Sequence, residues 1–132
     1  MAVTATPVFA QTPALSILAL STANTNLDGS TGTYSSVFTP GSDGCRLELI
    51  RVVARGATTT GKVRIFLSLD SGSTYALYRE FSVVAYTPSA SISAYEDEYI
   101  PSKPLVLPST GRIKCNTHNS ENFNVFIIGG NL

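Results

Sequence analysis

The sequence predicts an all-β chain: a single-domain β-sandwich of jelly-roll type with an extended N-terminal arm. Three observations carry this expectation. Helix-forming charged residues are scarce, with three Lys and five Glu in 132 residues, and no window beyond two turns repeats apolar side chains at a helical period. Thr, Val, Ile, Tyr and Phe are abundant, and these suit a pleated, half-buried surface. Turn residues recur at roughly the eight-to-twelve-residue spacing of a sandwich or barrel.

Residues 1–13 read as the arm, because Pro7 and Pro13 interrupt regular pairing. Within it Val3, Val8 and Phe9 are apolar enough to seek a partner, which makes them candidate protein–protein contacts with a neighbouring subunit. Residues 14–132 form the sandwich. A first strand covers Ala14 to Ser21, and Asn24–Ser30 is a loop rich in residues that hydrogen-bond their own backbone. A second strand runs from Thr33 to Thr39 and stops at Pro40-Gly41-Ser42-Asp43-Gly44.

Cys45 to Arg55 is the strongest strand. Leu47 and Leu49 share one parity while Ile50, Val52 and Ala54 share the other, so either both faces are buried or a bulge lies near Leu49 and Ile50. Lys62 to Asp70 alternates cleanly, with Val63, Ile65, Leu67 and Leu69 facing the core. These two strands are expected to form a central hairpin through Gly56–Gly61. On that reading Leu67→Ala costs about 2–5 kcal/mol and Ser68→Ala little. Asp70-Ser71-Gly72-Ser73 is a hairpin turn into Thr74–Val84, where Tyr75, Leu77, Arg79, Phe81 and Val83 share a side. Glu96-Asp97-Glu98 marks a charged edge strand. Pro101, Pro104 and Pro108 keep Leu105–Leu107 at an edge or a crossover, and strands over 111–116 and 122–128 close the chain.

Nine basic and nine acidic residues leave no net charge, so no field draws phosphate backbones, and nucleic acid is not an expected partner. No apolar run reaches the ~18–20 residues of a membrane helix, so no membrane is expected either. The absence of Lys or Arg before Arg46 denies a secretory signal its basic start. In a reducing compartment Cys45 and Cys115 are then expected as buried free thiols, although one bridge across a long loop is chemically open to them.

Candidate chemistry is thin. His118 is the sole histidine, inside the polar run Asn116–Ser120, and no GxSxG elbow accompanies it. The carboxylates of Glu96 and Glu98 share a strand face, a pairing that acid–base or Ca²⁺ chemistry can use, but charge on an edge strand explains them as well. Asp28-Gly29-Ser30, Asp43-Gly44 and Asp70-Ser71-Gly72 do not continue into a calcium-loop pattern, and no Cys–His spacing makes a metal site. The expectation is a non-enzymatic protein with no catalytic residues, no cofactor and no metal.

The opening Met1–Pro7, the loop Asn24–Thr33, and above all the run Leu49–Leu67 within Arg46–Asp70 resemble small structural proteins of tailed bacteriophages. The resemblance implies a virion component assembled in the bacterial cytoplasm: a head decoration (cement) protein that binds the capsid or other virion proteins as a symmetric homo-oligomer. A trimer is favoured because capsid lattices present local three-fold sites. The alternative on the same architecture is a carbohydrate- or receptor-binding module of a phage tail or fibre, whose sugar platform would be tyrosines such as Tyr34, Tyr75 and Tyr78.

Overall fold

The computed structural model describes residues 11–103 and 105–132. Eight strands carry the fold: β1 (Thr12–Leu20), β2 (Cys45–Ala54), β3 (Gly61–Ser68), β4 (Ala76–Val83), β5 (Glu96–Tyr99), β6 (Leu105–Leu107), β7 (Arg112–Thr117) and β8 (Phe123–Asn131). The first sheet runs β1-β8-β2-β5, with β6 lying beside β5 along the same edge of β2. The second runs β4-β3-β7, and all the strand pairings are antiparallel.

The expected strand over 33–39 survives as an irregular segment on the far side of β7. Ser35 N donates to Cys115 O, and Phe38 and Ile113 exchange both backbone bonds. With that segment included, the second sheet reads (35–38)-β7-β3-β4, facing β1-β8-β2-β5/β6. Except at the β3–β4 hairpin and between the collinear β5 and β6, the chain changes sheet at every step, which is jelly-roll connectivity. One core unites the sheets: Leu18, Leu47, Ile50, Val52, Val125 and Ile127 from the first meet Val63, Ile65, Phe81, Val83 and Ile113 from the second.

Several expectations need correcting. β2 and β3 do not pair: β2 lies between β8 and β5/β6, whereas β3 lies between β4 and β7. The stretch between them crosses from one sheet to the other. The parity change in β2 is a bulge, since Leu47 and Leu49 face Gly129 and Ile128 and leave Glu48 as the extra residue. In β3 both faces are covered. Arg64, Phe66 and Ser68 are buried on the outer side, Leu67 is only partly buried, and Leu69, expected in the core, is 61% exposed. A second bulge, at Tyr78, lets that ring pack on the core in place of Leu77. β1 begins two residues inside the expected arm, and Pro13 is accommodated because β1 is an edge strand.

The outer cover of β3 is the loop over 24–34. Asn24, itself buried, donates through Nδ2 to Thr31 O and Thr33 O, both at 3.0 Å. Asn116 Nδ2 of β7 donates to Asn26 O at 3.0 Å, tying the loop to the sheet. Tyr34 meets Phe66 edge-on, with ring centroids 5.4 Å apart.

The β3–β4 hairpin turns through Ser71 and Gly72, whose φ values of 62° and 91° are both left-handed. Thr74 Oγ1 and N donate to the Asp70 carboxylate, and Ser68 Oγ adds a third bond at 2.8 Å. Gly72 N in turn donates to Ser68 Oγ, so Ser68 is a turn residue and not the dispensable position expected from its parity. The Thr74 bonds and then Ser68 hold the Asp70 pKa down to about 2, against an ordinary 3.8. A carboxylate whose pKa is lower folded than unfolded stabilises the fold above the unfolded value, and that contribution is lost as pH falls through the folded one. Urea unfolding is therefore expected to show a midpoint that drops between pH 3.8 and about 2, with a shallower drop for Asp70→Asn. An unchanged acid dependence in that variant would contradict the assignment.

Candidate functional site

The outer face of the first sheet carries exposed apolar side chains. Alternation along β1 sends Ala14, Leu18 and Leu20 into the core and leaves Leu15 and Ile17 65% and 60% exposed. Antiparallel register sets Leu15 beside Ile128 and Ile128 beside Leu49. The next row is Ile17, Phe126, Arg51 and Glu98. Phe126, Ile128 and Leu49 are half-buried, so the strip continues across three strands. A shallow hollow of about 580 Å³ lies over β1 and β8 between Leu15, Ile17, Phe126 and Ile128.

Charge bounds the strip on its β5 side. The Arg51 guanidinium bridges Glu98 at 3.0 Å through Nη1 and Glu96 at 2.8 Å through Nη2. Both pairs are largely exposed and contribute at most about 1 kcal/mol each. The two carboxylates therefore already have a cationic partner, and β5 lies at the edge of the sheet as its charge led us to expect. Among the described residues no three His, Cys, Asp or Glu gather into a metal-binding group.

His118 sits just after β7. Arg64 Nη2 lies 3.3 Å from its Nδ1, and Arg64 Nε donates to Glu80 at 3.1 Å. Arg64 is nearly buried, and sequence reasoning missed it; the signal was its shared parity with Phe66 on a strand that turned out to be covered on both sides. Its Nη1, a donor, and the Oδ1 of Asn116, an acceptor on the directly opposite residue, are both buried without a partner among the described residues. Cys45 and Cys115 are free and buried. Burial raises both thiol pKa values, that of Cys115 to about 12, so neither is a ready nucleophile.

A second, polar cleft of about 450 Å³ lies over the other sheet, lined by Asp28, Ser30, Ser73, Thr74, Tyr75 and Lys114. Its groups are largely engaged with one another. Lys114 Nζ sits 3.9 Å from the Tyr34 ring centre and 4.0 Å from that of Tyr75. Desolvation lowers the Lys114 pKa. Asp28 accepts from Ser30 N, Thr31 N and Thr31 Oγ1, the Ser30 bond doing most to hold its carboxyl well below the usual range. Tyr78, partly buried, stacks edge-on against Tyr99, and Arg79 covers the Tyr99 face at 4.0 Å. The arm contacts Val3, Val8 and Phe9 lie outside the described residues.

No family model and no curated protein matches the chain. Among solved structures, it is similar to the CBM22-1–GH10 modules of the Clostridium thermocellum N-terminal endo-1,4-beta-D-xylanase 10B, complexed with xylohexaose. Identity is 16% and the TM-score 0.42, over 90% of this chain and 26% of that one. The chain thus spans about a quarter of that protein's length, and a likeness so slight says nothing of what this chain binds or does.

Proposed function

We propose that the chain is a non-enzymatic structural protein of a tailed-bacteriophage particle, a capsid decoration protein that binds the particle surface as a symmetric oligomer. The observation that carries this reading is the apolar outer face of the first sheet. Leu15, Ile17, Phe126 and Ile128 form a continuous strip on strands whose other face is already core. A contiguous apolar patch of this kind serves contact with another macromolecule. Each large side chain fully buried there would stabilise the contact by roughly 1.5–3 kcal/mol. Repetition over a shell raises the effective concentration of each contact. A neutral chain, moreover, can be arrayed densely without self-repulsion.

The polar cleft favours the second reading, a carbohydrate- or receptor-binding module of a tail or fibre. Tyrosine beside hydroxyls, a carboxylate and an ammonium is the composition of a sugar site. It ranks second because Lys114 occupies the ring faces a sugar would stack on.

Co-sedimentation of the purified chain with empty capsids, beside a glycan array, tests the two readings. Saturable capsid binding that Leu15→Lys with Ile17→Lys abolishes is the expected result. Glycan binding lost in Tyr75→Ala, without capsid binding, would overturn it in favour of the second.

A further inference from the structure

We infer that the outer edge of β1 is a self-pairing edge, on which β1 of a second copy lies antiparallel to make one continuous sheet across a two-fold axis. Four sheet edges compete for such a role, and three are blunted. The β5 edge carries Glu96, Asp97 and Glu98, which a second copy would meet with like charge, and β6 beside it is three residues long. The β4 edge holds Arg79 and Glu80 and is broken by the bulge at Tyr78. The outermost segment of the second sheet, 35–38, is irregular and meets β7 only at the Phe38–Ile113 bridge and the Ser35–Cys115 hydrogen bonds.

β1 has none of these defences. It is nine residues long, pairs with β8 in unbroken register, and carries no charged side chain. Its edge measures about 30 Å at ~3.4 Å per residue. Among the described residues nothing pairs with its outer side. Pro13 removes one donor near the start and leaves Ala14–Leu20 with every backbone N–H and C=O intact.

The second copy is the occupant because the surface is complementary to itself. A two-fold contact presents identical patches to each other, which an uncharged strand tolerates and an acidic one does not. Pairing also brings Leu15 and Ile17 of both copies together and doubles the strip formed with Phe126 and Ile128. The unit so built is a dimer, where the lattice argument favours a trimer. The inference deepens the assembly reading by naming one partner, yet it concerns the chain in solution and needs no capsid.

Sedimentation of the purified full-length chain without particles keeps the two apart, since capsid binding plays no part in it. The parent is expected to be dimeric. Leu15→Lys/Ile17→Lys and Leu15→Glu/Ile17→Glu, at exposed positions that leave the core alone, are each expected to weaken self-association by at least about tenfold with an unchanged far-UV spectrum. Mixing the two variants one to one should restore a dimer, which a folding defect would not do. Val106→Lys, on the opposite edge, should leave the parent's behaviour unchanged. A monomeric parent, as residues 1–10 folded over their own edge would give, overturns the inference. So does a trimer insensitive to positions 15 and 17, or a mixture that stays monomeric.

Discussion

Phe66→Ala is expected to lower the unfolding free energy by about 3–5 kcal/mol, a large share of what a domain this size possesses. Phe66 is fully buried, although it sits on the outer side of the second sheet. Its ceiling is the loop over 24–34, where Tyr34 meets it edge-on and Gly29 passes so close that an added Cβ would stand 3.3 Å from the Phe66 ring. That loop is held by Asn24 and Asn116 and cannot settle into the space a missing ring leaves. Leu69→Ala, one residue past the end of β3 at 61% exposure, is expected to change stability by less than about 0.5 kcal/mol. Urea denaturation of the pair checks both. Equal losses, or a larger loss at Leu69, would contradict the burial of the outer face.

Gly129→Ala is expected to cost about 1–3 kcal/mol, toward the upper end because the obstruction is backbone. Gly129 faces Leu47 beside the Glu48 bulge, and a Cβ there would overlap the carbonyl oxygen of Arg46 and crowd Leu47 Cα at 3.1 Å. Relief requires moving β2 against β8, the pairing at the middle of the first sheet. Gly56→Ala is the control: nothing lies within 4 Å of the added carbon, so stability should hold or rise slightly. Thermal unfolding separates the two, and a neutral Gly129→Ala would mean the strands have slack at the bulge.

The sequence disclosed its strands better than their partners. β2, β3, β7 and β8 lie close to where alternation and turn residues put them, because side-chain period and turn chemistry are local. Pairing is not local. A short connection between two strong strands reads as a hairpin, yet the stretch between Ala54 and Gly61 crosses the sandwich, because both edges of β2 are taken by strands remote in sequence and those of β3 by β7 and by its own hairpin partner β4. The same blindness hid Phe66, buried by a loop some thirty residues away in the chain, and Arg64, held between Glu80 and His118. In β8 the run Val125–Ile128 is wholly apolar, so periodicity alone does not tell which residues face out. Only register with β1 and β2 puts Phe126 and Ile128 beside Leu15, Ile17 and Leu49. The arm could be read for composition alone, and the charged β5 edge was legible because like charge on an edge strand has a direct physical meaning.

Amide hydrogen exchange on the chain alone, diluted until it is monomeric, and on capsids tests most directly whether the first sheet is the working surface. Protection is expected to rise on assembly along Thr12–Leu20 and to change little over Asp28–Thr33 and Ser73–Tyr78, which border the polar cleft. Protection gained around that cleft while β1 exchanges as before would contradict the account.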